Sequence, residues 1–253
     1  MPFTPTHVLG VLPLHFAIRK LPLASLAIGS MIPDFTMFYP IASYGYSHSL
    51  IGLVGYCLPM GMVVYYLWEE FGKVLAIDLS PLWIRYRIAR YRNTRAKYDF
   101  REIGINAIAI VIGSLTHTAW DAFTHQGEWG LKLIPLLERN VEIANIVIPA
   151  YKLFQYGSTF IGLPLLAILC FLYLKNIQPC IEGNFDRLKK SWLTAIVVGF
   201  AVMLSAIALS NYDRLDSFKN IIGNTIKQSL GAGILLFFLY AIAYRLSNFR
   251  NPS

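Results

Sequence analysis

Histidine is scarce in this chain of 253 residues, with five in all, and four of the five stand beside other polar or metal-ligating residue types. These occur in Thr6-His7, Ser47-His48-Ser49 and the run Thr116-His117-Thr118-Ala119-Trp120-Asp121-Ala122-Phe123-Thr124-His125, while Asp34 follows Ile32-Pro33. His15 has no such neighbours and reads as a packed or interfacial histidine. Residues four apart on an α-helix drift by only about 40°, so His117, Asp121 and, if the helix persists, His125 form one stripe. A His-x-x-x-Asp pair on one face can offer an imidazole nitrogen and a carboxylate oxygen to a single ion, as His-x-x-x-His does in zinc helices. Imidazole and carboxylate with no cysteine nearby suit Zn²⁺, with Mn²⁺ or Fe²⁺ as alternatives. The candidate metal ligands are therefore His7, Asp34, His48, His117, Asp121 and His125, with Ser47, Ser49, Thr116 and Thr124 available to orient the imidazoles.

The elements that must position these residues are membrane helices. Hydrophobic residues make up 56% of the chain and charged residues only 14%, against roughly 25% charged in an average soluble domain. Too few polar side chains remain to cover an exterior in water, so part of that exterior faces lipid. Apolar runs long enough for about 30 Å of hydrocarbon extend over Leu50 to Trp68, Ile103 to Phe123, Gly157 to Leu174, Leu193 to Ser210 and Gln228 to Tyr244. His7 to Arg19 and Leu21 to Pro33 are each too short to span and are separated by Arg19-Lys20, which predicts a helical hairpin or a pair of re-entrant half-helices. No basic stretch precedes the first apolar run, so a cleaved signal peptide is not expected. The expectation is an all-α polytopic membrane helical bundle of about five transmembrane helices plus that N-terminal hairpin or re-entrant segment. It forms one integral membrane domain over residues 1–253, with a metal-site half in 1–135 and further transmembrane helices in 136–253. Cys57, Cys170 and Cys180 are scattered and indicate neither a disulfide nor a Cys-x-x-Cys site.

Positive charge orients the bundle, because lysine and arginine are retained on the cytoplasmic side. Lys73, Arg85, Arg87, Arg90, Arg92, Arg95, Lys97 and Arg101 crowd the loop after the first span. Lys175, Arg187, Lys189, Lys190, Arg245 and Arg250 fall on that same side, and fewer cations, among them Lys132, Arg139, Lys152 and Arg214, fall opposite. The C-terminus is thus expected in the cytoplasm of a multi-pass protein of the inner (plasma) membrane. The Arg85 to Arg101 run, interleaved with Tyr86, Tyr91 and Tyr98, reads as a topology anchor touching anionic headgroups, and no nucleic-acid partner is expected. With this topology His48, His117, Asp121 and His125 converge on the non-cytoplasmic face, and Asp34 is tethered close to His48. One histidine at a membrane rim is usually a packing residue, but six ligand-type residues from four segments on one face point to a metal. Gly29-Ser30 and Gly113-Ser114 would let helices approach closely beside them. The polar run from Gln155 to Thr159 opens the third span on the same face, as a helix start or a substrate contact.

These residues carry a resemblance. Met1-Pro2-Phe3-Thr4-Pro5-Thr6-His7, Ile28-Gly29-Ser30-Met31-Ile32-Pro33-Asp34, Tyr46-Ser47-His48-Ser49-Leu50 and Gly113-Ser114-Leu115-Thr116-His117 through His125 resemble an uncharacterised bacterial membrane family, a domain of unknown function. The order His, Pro-Asp, Ser-His-Ser, His-x-x-x-Asp over roughly residues 1–135 is also similar to the membrane-bound metal-dependent hydrolases of the bacterial DNA-damage response. In ligand order alone it resembles the zinc-dependent phospholipase C and single-strand nuclease superfamily. The resemblance implies Asp34, His48, His117 and Asp121 as metal ligands, with His7 and His125 as further candidates. It departs from the zinc phospholipases in having no His-x-x-x-Glu pair after His125. The implied function is a metal-dependent hydrolase of ester or phosphodiester bonds with membrane lipids around it and a lipid phosphoester as substrate, Asp34 or Asp121 serving as catalytic base. The alternative is a non-catalytic metal-binding or structural membrane protein.

Overall fold

The computed structural model describes residues 4–143, 145–180, 190–212 and 218–250. Met1–Phe3 of the opening motif, and Arg187, Lys189 and Arg214 of the charge pattern, lie outside the described residues. The architecture is an all-α membrane bundle. Among the described residues, four helices are long and apolar enough to cross a bilayer: α3 (Leu50–Leu79), α4 (Phe100–Asp121), α5 (Ala150–Asn176) and the segment Asn224–Ser247 of α7 (Phe218–Arg250). The other expected span lies in α6 (Lys190–Tyr212), a helix of 23 residues whose described apolar stretch is Ile196–Ile207. Large apolar side chains line the exterior, with Leu50 78% and Phe160 84% exposed, as a lipid-facing surface requires.

Two compact units are present: residues 1–36, 40–65 and 97–173 form the first, and residues 37–39, 66–96 and 174–253 the second. In the first, α1 (Val8–Ala17) and α2 (Leu23–Gly29) make the N-terminal helical pair. Arg19-Lys20 and Pro22 interrupt the helix between them, and His15 Nδ1 closes the turn on the Leu21 carbonyl at 2.9 Å. Both helices pack on α4, where Val11, Leu26 and Ala109 are fully buried together. A Cβ added at Gly29 would lie 2.2 Å from the Ile110 carbonyl oxygen, and one at Gly113 would lie 2.3 Å from that of Leu26. Backbone therefore meets backbone at this crossing, which only glycine permits. Ser25 Oγ donates to Asn106 Oδ1 at 2.6 Å and Ser114 Oγ to the Gly29 carbonyl at 2.9 Å, satisfying the buried polar groups of the seam.

Helix α3 starts where Ser49 Oγ accepts the Gly52 N–H at 3.0 Å. It passes through two π-helical turns, Leu53–Cys57 and Trp68–Gly72, and runs eleven residues beyond the expected end at Trp68. Charge beginning at Glu69 predicts an end at Trp68. The helix continues because Glu69 pairs with Lys73 one turn on, and Lys73 Nζ also reaches the Thr94 carbonyl at 2.9 Å. Asp99 caps α4 by accepting the Glu102 N–H at 2.9 Å. A feature absent from the sequence reading is an antiparallel hairpin, β1 (Asn140–Ile143) with β2 (Ile146–Pro149), turning at Asn145 with φ 65°. Within the second unit, Val74 and Leu75 of α3 pack with Ala241 and Tyr244 of α7.

Candidate metal centre

Four elements of the first unit bring the candidate residues together. The last turn of α4 carries His117 and Asp121 on one face, four apart as their spacing requires. A 3₁₀ segment, Ile32–Met37, follows α2 and supplies Asp34. His48 ends the short helix Tyr44–Ser47 just before α3, and His7 ends the 3₁₀ turn Thr4–His7 just before α1. Asp34 and His117 are fully buried, and Asp121 is 2% exposed.

Asp34, His48, His117 and Asp121 each offer one ligand atom within 4.8 Å of the other three. His48 Nε2 and His117 Nε2 are 3.3 Å apart, and His117 Nε2 is 3.4 Å from both Asp34 Oδ1 and Asp121 Oδ2. His48 Nε2 lies 3.7 Å from Asp34 Oδ1 and 3.6 Å from Asp121 Oδ2. With metal–ligand distances of about 2.0–2.1 Å, a coordination tetrahedron has edges of about 3.3–3.4 Å. Three of the five separations match those edges and the other two, 3.6 and 3.7 Å, are slightly longer, so the four donors could hold one ion.

Tautomers follow from the partners of the outer nitrogens. His117 Nδ1 is 2.7 Å from the Ser30 carbonyl and His48 Nδ1 is 3.0 Å from that of Tyr44. A carbonyl can only accept, so both Nδ1 atoms carry a proton and both Nε2 atoms face the centre, where either can coordinate an ion when it carries no proton. Such carbonyl-fixed imidazoles are typical of metal ligands. Among the described residues, Asp34 Oδ1, Asp121 Oδ1 and His7 Nε2 are buried with no hydrogen-bond partner. Among the described residues, the ion-pair partners of the two carboxylates are all histidines. Two carboxylates buried side by side carry negative charge that is costly unless it is offset, and a divalent cation at the centre, or a proton on a facing imidazole, would offset it.

His7 and His125 stand beside this quartet. The His7 ring stacks on His117 at 3.8 Å between centroids, with Nε2 3.6 Å from Asp121 Oδ1. Burial, and His117 beside it, push the His7 imidazole down to about 3, so it is neutral at physiological pH. His125 has both nitrogens engaged: Nδ1 lies 3.1 Å from the Asp121 carbonyl and Nε2 3.1 Å from Gln155 Nε2. Of the hydroxyls expected to orient imidazoles, Ser47 contacts His48 Nδ1 at 3.0 Å and Thr124 contacts His125 Nδ1 at 3.2 Å. Ser49 instead caps α3, and Thr116 bonds the Gly113 carbonyl.

Two residues the sequence reading passed over complete the site. Thr4 Oγ1 donates to Asp34 Oδ2 at 2.8 Å, and Tyr44 OH to Asp121 Oδ2 at 3.3 Å. Burial and the Asp121 charge raise the Tyr44 phenol above its usual value, which keeps it a donor. Their signal was helical spacing, Tyr44 four residues before His48 and Thr4 three before His7.

The chain belongs to the family described as Domain of unknown function (DUF4184), which it matches over residues 1–246. No curated protein and no solved structure matches it.

Proposed function

We propose that the protein is a membrane-embedded, metal-dependent hydrolase, with Asp34, His48, His117 and Asp121 as metal ligands. The observation that carries this reading is the approach of His48 Nε2 and His117 Nε2 to 3.3 Å of each other between two buried carboxylates. Without a cation or an added proton between them, that arrangement is repulsive. The two-His, two-Asp donor set suits Zn²⁺ first, then Mn²⁺ or Fe²⁺. A bound divalent ion supplies Lewis-acid polarisation of a phosphoryl or carbonyl oxygen and a lowered water pKa.

The chain's own groups divide the remaining work. Thr4 ties up Asp34 Oδ2, whereas Asp121 Oδ1 has no hydrogen-bond partner, so Asp121 is the better placed of the two proposed bases to take a proton from water. Tyr44 holds the other Asp121 oxygen, and Gln155 holds His125 at the edge of the site. Charge bias orients the site to the non-cytoplasmic leaflet of the plasma membrane with the C-terminus in the cytoplasm, so a lipid phosphoester is the proposed substrate.

A second reading, a non-catalytic metal protein, is favoured by the count of donors: four protein ligands close a zinc tetrahedron, while catalytic zinc sites keep a position open. Turnover separates the two. Purified protein with bound metal should hydrolyse members of a phospholipid panel, and His117→Ala or Asp121→Ala should lose both metal and hydrolysis. Bound metal with no turnover on esters or phosphodiesters selects the second reading; unchanged metal and turnover in both variants defeats the first.

A further inference from the structure

Two cavities of different character flank the His/Asp cluster, and both border Asp121 through one of its neighbours. The first, of about 620 Å³, is mostly apolar and is lined by His7, Leu9, Gly10, Trp120, Gly157 and Ile161. The second, of about 410 Å³, has a lining about half polar that includes Tyr44, His125, Gln126, Glu128, Lys152 and Gln155. His7 Nε2 lies 3.6 Å from Asp121 Oδ1 on one side, and Tyr44 OH lies 3.3 Å from Asp121 Oδ2 on the other. The first turns of α5 contribute to both, with Lys152 and Gln155 in the polar cavity and Gly157 and Ile161 in the apolar one.

We infer that one acyl lipid lies across the cluster, with a hydrocarbon chain in the cavity beside His7 and a phosphate-bearing headgroup in the cavity beside Tyr44. The inference rests on reading the cluster as the place of reaction, and it assigns the two ends of the substrate. Each cavity is within the size range of ligand sites, roughly 300–1,000 Å³. The apolar one is walled by α4 and α5, helices whose outer faces are lipid-exposed, so a chain can enter from the bilayer without crossing water. Gly10 and Gly157 line it, and a Cβ at either would meet nothing within 4 Å, so a larger side chain there would project into open space. In the polar cavity, Lys152 offers a cation to a phosphate and Glu128 an anion to a headgroup amine, the complement of a zwitterionic phospholipid.

The test uses full-length protein in nanodiscs containing phosphatidylethanolamine with a diazirine on one acyl chain, and mass spectrometry of the labelled peptides. Leu9 and Leu153, which line the apolar cavity, should be labelled more heavily than Phe160, which is 84% exposed on the outer face. Gly157→Leu and, separately, Gly10→Leu should cut cavity labelling several-fold while Phe160 labelling and bound metal stay as in the wild type. Lys152→Ala should weaken cavity labelling by this probe. Labelling no heavier at Leu9 and Leu153 than at Phe160, or unmoved by both leucine variants, overturns the inference. Cavity labelling without hydrolysis leaves the lipid site standing and counts only against the hydrolase reading. Hydrolysis of short soluble esters without cavity labelling does the reverse.

Discussion

Asp78, in the second unit, is 3% exposed and carries its own neutralisation, whereas Asp34 and Asp121, in the first, are as deeply buried and, among the described residues, pair with no Lys or Arg side chain. Arg92 grips Asp78 with two hydrogen bonds of 2.8 Å, and Tyr244 OH adds a third at 2.8 Å. Arg85, also buried, bonds the Asp78 and Ser80 carbonyls. Every Asp78 carboxylate oxygen is thus satisfied by a planar fork and a phenol, an arrangement that holds helix ends together and leaves no open coordination. The Asp34/Asp121 centre instead has imidazole nitrogens facing the carboxylates and, among the described residues, two carboxylate oxygens with no hydrogen-bond partner. On the proposed reading, the contrast separates a carboxylate buried for structure from a pair buried to hold an ion.

That contrast can be broken experimentally in decreasing order of effect. His117→Ala removes the donor nearest to all the others and should weaken metal binding by more than about 100-fold, the upper range for losing even an outer partner of a ligand, read by competition with a chromophoric chelator. Metal removal should lower the stability of the wild type by about 3 kcal/mol if the ion is held well above its Kd, seen as a fall in Tm in detergent. The same treatment should leave His117→Ala unmoved and shift Arg92→Ala as it shifts the wild type. Arg92→Ala strands a buried carboxylate and should cost about 3 kcal/mol, the low end for a broken buried pair, because the Arg92 side chain is 26% exposed; its metal content should equal the wild type's. Ser47→Ala leaves every ligand in place but frees the His48 ring from one neighbour, and should weaken metal binding about 10-fold with little change in the Tm of chelated protein.

Much of the fold was legible because long apolar runs and their charged flanks are direct consequences of burying helices in hydrocarbon. The end of α3 was not, because Glu69 and Lys73 neutralise each other within one helical turn and so extend a helix that charge counting would stop. The hairpin at Asn140–Pro149 escaped notice because its strands are four residues each. At the site, the His117/Asp121 stripe followed from helical period, and the meeting of Asp34 and His48 with it followed from topology. His125 shows the limit of spacing: it continues the stripe in sequence, but the helix ends at Asp121 and the ring turns to Gln155. The carbonyls of Ser30 and Tyr44 that fix the two imidazole tautomers were invisible to residue-type reasoning, since any residue supplies a carbonyl.

The most direct test is elemental analysis of the purified full-length protein beside its His48→Ala, His117→Ala and Arg92→Ala variants, prepared identically. One divalent ion per chain in the wild type and in Arg92→Ala, and none in the two histidine variants, is the predicted result. A wild type that takes up no divalent ion when zinc, manganese or iron is supplied, or histidine variants that bind as much as the wild type, would contradict the assignment of Asp34, His48, His117 and Asp121 as a metal centre.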